Sequence, residues 1–169
     1  VFDGNRFRRS SMRGSEQVPI KRNSRFLDVD MGEYVPGARF RVNYASNPHG
    51  HVDPHNGVEM RINSLGLRGP EIDPDGKRGT LRLLGLGDSF TFGHAVSAAE
   101  SFPSVIEERL SAEGQPVEVH NLGIPGYNTA EEVALLRRVG PGMQPDLVVV
   151  GFYVGNDIRD HLESRVGRT

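Results

Sequence analysis

The sequence predicts an α/β protein built on a parallel sheet of flavodoxin-like strand order. Three observations predict it. Three short apolar runs, residues 81–86, 117–122 and 147–152, are separated by two amphipathic stretches. The connections between them are short, as in β-α-β-α-β units with right-handed crossovers. Each run ends in Gly and polar residues, where open α/β sheets hold their ligands.

The elements follow in order. Residues 58–62 (Val-Glu-Met-Arg-Ile) alternate apolar and polar, which predicts a half-buried strand. Turns follow at Asn63-Ser64-Leu65-Gly66 and over residues 70–76. Residues 81–86 predict the first buried strand of the sheet. The first helix is expected from about Phe102 to Ala112, with Ser101 as N-cap, Pro103 in the first turn and Gly114 just past the end. Phe102, Val105, Ile106 and Leu110 fall on one face of it. Residues 117–122 predict the second strand. Thr129 with Glu132 predicts a capping box and a second helix to about Val139, stopping at Gly140. Residues 147–152 are apolar throughout, as a strand buried on both faces should be.

The expected spatial order is second, first, third. This leaves an interior-type strand at an edge, and a flat apolar edge invites aggregation. The sheet is therefore expected to be incomplete, with at least one more strand past Thr169.

The chain divides into three zones. Residues 1–26 carry seven Arg or Lys against Asp3 and Glu16 and predict a basic, disordered arm. Residues 27–80, rich in Gly, Pro, Asn and His, predict an irregular extension with one short strand. Residues 81–169 hold the sheet. A net charge of −2 gives no argument for nucleic acid, and only the arm offers contact with an anionic membrane. No cysteine is present, which excludes disulfides, thiolate metal sites and a Cys nucleophile. No apolar run approaches the roughly 20 residues of a membrane span. None of this fixes the compartment or the oligomeric state.

Three strand ends converge on one crevice in this topology. The first delivers Asp88 and Ser89, within Gly87-Asp88-Ser89-Phe90. The second delivers residues 121–128, including Gly126. The third delivers Gly155, Asn156 and Asp157. A serine nucleophile needs donors aimed at the oxygen that becomes negative. The Ser89 N–H, the Gly126 N–H and the Asn156 amide would make such a hole.

Gly-Asp-Ser-Phe at 87–90, Asn-x-Gly-x-x-Gly at 121–126 and Gly-Asn-Asp at 155–157 resemble the first three sequence blocks of the SGNH/GDSL hydrolases. The resemblance covers about residues 80–161. Residues 61–69 (Arg-Ile-Asn-Ser-Leu-Gly-Leu-Arg-Gly) are similar to the segment preceding block one in some bacterial members. The resemblance implies an ester hydrolase or acyltransferase that needs no cofactor. It implies Ser89 as nucleophile and Gly126 and Asn156 as completing the oxyanion hole. Asp88 would brace the turn, and Gly155 and Asp157 would shape the third loop.

The family's fourth element, Asp-x-x-His, is missing: no Asp of the chain has His three residues later. His94, His120 (at the end of the second strand) and His161 (behind Asp157) are poor substitutes. The expectation is a sequence that stops before the base, in a chain nearly inactive alone. His49, His51, Asp53 and His55 form a further cluster. Its Pro/Gly-rich spacing reads as a solvated loop rather than a metal site.

Three functions compete. The first is hydrolysis of small acyl esters, by family analogy O-acetyl groups on carbohydrate, or transfer of the acyl group to an acceptor hydroxyl. The second is a non-catalytic module that binds an ester or carbohydrate. The third, a flavin-binding protein, is disfavoured because the first loop lacks a run of Ser/Thr/Gly donors and Asp88 would repel a phosphate.

Overall fold

The computed structural model describes residues 21–26, 29–44, 47, 50–73, 75, 77 and 79–154. The strands are β1 (Lys21–Phe26), β2 (Val29–Tyr34), β3 (Arg39–Asn43), β4 (Gly57–Arg61), β5 (Leu81–Gly87), β6 (Val117–Gly123) and β7 (Leu147–Gly151). The helices are α1 (Ser89–Phe92), α2 (Phe102–Ala112) and α3 (Thr129–Met143), with a 3-10 turn at Ala98–Glu100.

The sheet has the expected order β6-β5-β7. All pairings are parallel, with Leu81 opposite Val117 and Leu83 opposite Leu147. Alternate residues of the central strand serve different layers. Leu84 and Leu86 enter a core with Ala134, Leu135 and Met143 of α3. Gly85 faces the other way, where an added Cβ would lie 3.0 Å from Pro103 of α2. Helices thus cover both faces of the sheet, as parallel strands require.

Among the described residues β7 pairs with β5 alone. Leu147 and Val150 are 52% and 54% exposed, so burial on both faces is not met there. Helix α3 departs from expectation at both ends. Its N-cap is Asn128, whose side chain accepts the Ala130 and Glu131 N–H groups while Glu131 bonds back to the Asn128 N–H. Asn caps better than Thr, and Glu132 is buried at 1% exposure, unavailable for a surface box. The helix also continues through Gly140 and Pro141 to Met143. Gly140 packs against Leu84, and Met143 is buried, so tertiary burial outweighs weak propensity in the last turn.

The segment before the sheet is more regular than expected. Lys21–Phe26, the end of the basic arm, is strand β1, antiparallel to β2. Strand β4 matches the predicted strand within a residue and pairs antiparallel with β3. Residues 1–20 lie outside the described residues. Met31, Tyr34, Val58, Met60, Ile62 and Leu67 share one buried cluster with the sheet. The Tyr34 ring stacks between Phe40 and Phe92, at centroid distances of 5.5 and 5.4 Å. Burial pushes its hydroxyl up to about 12. Glu33 of β2 forms an ion pair with Arg138 of α3. The segment packs as a collar on the α3 side of the sheet.

Asn63 shapes the loop that leaves β4. Its Oδ1 accepts the N–H groups of Leu65 and Leu67, and its Nδ2 donates to the Pro70 carbonyl. This sends Leu67 and Arg68 inward, to 1% and 3% exposure.

Candidate functional site

The first block folds into a turn at the C-terminal end of β5. Asp88 is the N-cap of α1: its buried carboxylate accepts the Phe90 N–H at 2.9 Å. Ser89 follows as the first helical residue and is partly exposed. Gly93 ends the helix in a left-handed conformation (φ 80°).

The second block lies against the first, backbone to backbone. The Ile124 N–H donates to the Gly87 carbonyl at 3.1 Å. The Asn121 amide donates to the Thr91 carbonyl at 2.8 Å, and its Oδ1 accepts the Gly123 N–H. A Cβ on Gly123 would overlap the Phe92 backbone nitrogen, so only glycine permits this approach. The chain then turns, with the Tyr127 N–H on the Ile124 carbonyl. Gly126 is exposed at the tip with φ 87°. The fold therefore brings the Ser89 and Gly126 segments to the same edge of the sheet.

The third strand also ends at this edge. Phe152, Tyr153 and Val154 are exposed, and the Tyr153 ring lies 4.5 Å from that of Phe90. An apolar surface thus adjoins Ser89. Gly155, Asn156, Asp157 and His161 lie outside the described residues.

The other histidines have separate surroundings. His120 is not at the end of its strand but inside β6, opposite Leu84. That is three residues short of the strand end, about 10 Å along the chain direction. The neighbouring Leu122 is fully buried, and His120 itself is 9% exposed. Burial lowers its pKa, with Glu118 opposing and Arg82 reinforcing the shift. His94 lies in the turn after α1, its ring edge-on to Tyr44 at 5.6 Å. A cavity of about 50 Å³ lies along β6, lined by Arg68, Ser101, Ser104 and His120 among others, without Ser89.

In the histidine-rich loop, Asp53 is engaged by Arg41 at 2.5 Å and by the His55 and Gly57 N–H groups. These contacts hold its carboxyl below the usual range. His51 lies 3.8 Å from Glu100, and His49 is outside the described residues. Among the described residues no group of three His, Asp or Glu could hold a metal ion.

Two buried arginines lie outside the three motif blocks. Arg82, at the other end of β5, is fully buried and bonds Glu118, Met143 O and Asp73 O at 2.6, 2.6 and 2.8 Å. Arg68 reaches the turn after α1. The residue run 61–69 could have flagged it, since an Arg between Leu67 and Gly69 sits in an otherwise inward-turning loop.

Comparison with known proteins bears on the same residues. Residues 86–166 match the GDSL-like lipase/acylhydrolase family. An arylesterase of Vibrio mimicus is 33% identical over 78 residues, 46% of this chain and 39% of that protein. The chain thus spans about two fifths of the length of that curated relative. Among solved structures, the SGNH-hydrolase esterase AlinE4 is 27% identical, with a TM-score of 0.40 over 52% of this chain and 48% of that one. A point variant of AlinE4 gives 28% and 0.35 over 42% and 39%. With the Gly-Asp-Ser and Asn-x-Gly-x-x-Gly blocks meeting at one sheet edge, residues 86–166 are similar to the GDSL-like lipase/acylhydrolase family.

Proposed function

We propose that the chain carries the nucleophile of a serine ester hydrolase that acts on small acyl esters, O-acetyl groups on carbohydrate included. The observation that carries this reading is the position of Ser89. It starts α1 directly after the central strand, and the end of that short helix lies against the Gly123 backbone. In this reading the Ser89 Oγ attacks the ester carbonyl, and its proton passes to a base. The carbonyl oxygen takes the negative charge and is met by the Ser89 N–H, the Gly126 N–H and the Asn156 amide. Collapse of the intermediate releases the alcohol and leaves an acyl-serine. Water, or an acceptor hydroxyl in a transfer reaction, then removes the acyl group. Asp88 acts through its N-cap bond and takes no proton.

None of the histidines described above suits the base. His120 is buried a strand segment away, and the His94 ring packs on Tyr44. With no Asp-x-x-His in these residues, slow turnover is expected, because a serine hydroxyl alone is a weak nucleophile. Loss of a triad base leaves a residual rate from the oxyanion hole and binding.

The test is incubation with p-nitrophenyl acetate, followed by mass spectrometry of the Ser89 peptide and comparison with Ser89→Ala. Acetyl on Ser89, and its loss in the variant, is the expected result. Equal hydrolysis by the variant, with no adduct on Ser89, would overturn the assignment. The competing reading is a module that binds the ester without cleaving it. Saturable binding without any adduct would select that reading.

A further inference from the structure

Ser89 stands on a helix of four residues, too short to be stable by its own hydrogen bonds. Its position must be imposed by neighbours. Asn121 holds one side of it. The other hold comes from outside the family-matched segment.

Arg68 extends its guanidinium beneath the end of α1. One terminal nitrogen, Nη1, donates to the Phe92 and Gly93 carbonyls at 2.8 and 2.6 Å, and Nη2 donates to the Val96 carbonyl at 2.8 Å. The group also lies over the Phe92 ring, 5.1 Å from its centroid. Among the described residues no carboxylate pairs with it, and its hydrogen bonds go to this one turn. The turn is strained as well: Ala95 adopts φ 66°, which disfavours a residue with a Cβ. Its N–H donates to the Tyr44 hydroxyl at 2.8 Å. Arg68 and Tyr44 thus grip residues 92–96 from two sides, both from the collar.

We propose that Arg68, assisted by Tyr44, is the positioning residue for Ser89: it fixes the 92–96 turn and through it the short helix that presents the serine. This rests on the reading of Ser89 as nucleophile. The planar fork suits three diverging carbonyls in a way that the single ammonium of lysine does not.

The test uses the full chain with Arg68→Gln, Arg68→Lys and Tyr44→Phe. One readout is amide hydrogen exchange of residues 89–96 against that of α3. The other is the rate of Ser89 labelling by a fluorophosphonate. Arg68→Gln should speed exchange at 92–96 and slow labelling by about tenfold or more, the effect of one charge-assisted hydrogen bond. Exchange in α3 should not change. Arg68→Lys should restore part of both effects, which a purely space-filling role would not predict. Tyr44→Phe should move both in the same direction by a smaller factor. Unchanged exchange at 92–96, or faster exchange with unchanged labelling, would overturn the proposal. So would a loss of protection spread equally over α3, which marks a general stabiliser. If Arg68→Gln fails to fold, Tyr44→Phe carries the same comparison by removing one oxygen atom. If the unaltered chain is not labelled at Ser89, the nucleophile reading fails, and the exchange readout still decides whether Arg68 holds the turn.

Discussion

The two ends of strand β5 each carry a buried arginine nearby, and the two are held in opposite ways. At the N-terminal end, Arg82 pairs with the Glu118 carboxylate at 2.6 Å and bonds two carbonyls. Lys77 and Asp146 add a second ion pair at 2.7 Å, and Asp146 also accepts the Arg82 N–H. At the C-terminal end, Arg68 bonds backbone carbonyls and, among the described residues, no carboxylate. The first arrangement ties strands and helix together by charge. The second holds a single turn in shape. A buried ion pair leaves an uncompensated charge if one partner is lost, whereas a guanidinium on carbonyls leaves only local bonds unmade.

That contrast yields predictions of decreasing size. Arg82→Met should cost about 3–5 kcal/mol, because it leaves Glu118 without its guanidinium. The urea midpoint measures this, and a loss no greater than that of Arg68→Met would break the contrast. Gly123→Ala comes next, at about 1–3 kcal/mol from overpacking against the α1 backbone. It should also slow Ser89 labelling more than Arg82→Met does, since it separates the two blocks. Asn128→Ala removes the α3 cap and should cost about 1 kcal/mol in thermal or urea unfolding, with little effect at Ser89.

The smallest expected effect is a pH slope from His120. Its folded pKa lies below its unfolded value of about 6.5, so the unfolded chain binds the proton first. The stabilisation is complete above about 6.5 and is lost as pH falls toward the folded pKa. His120→Gln should flatten this part of the stability curve. Urea midpoints at pH 7.5 and 5.5 measure it, and an equal drop in both proteins would remove His120 as the cause.

How far the sequence carries can be judged from particular residues. Strands β5, β6 and β7, helix α2 and their order were legible because apolar runs and amphipathic spacing report burial directly. The N-cap of α3 was misread by one position. Thr129-x-x-Glu132 and Asn128-x-x-Glu131 have the same form, and only the burial of Glu132 separates them. His120 was placed at a strand end because a polar residue there looks like a boundary. Its neighbour Glu118 also pairs with Arg82 of the adjacent strand, and only strand pairing reveals that cluster.

Residues 27–80 show the same limit on a larger scale. Their Gly, Pro and His content obscures β2 and β3, whose inward residues are buried by a core that lies elsewhere in the chain. The local pattern of the Arg61–Gly69 run was recognisable, but nothing in it says where Arg68 points.

The parallel sheet, its strand order and the two motif blocks are legible in the residues alone, because periodicity and glycine placement are local properties. Which side chains meet follows instead from packing. It put Arg68 and Tyr44 of the collar against the turn that follows Ser89, a contact across 24 to 51 residues of chain. Such contacts depend on how packed layers bring distant segments together, and no local pattern encodes that.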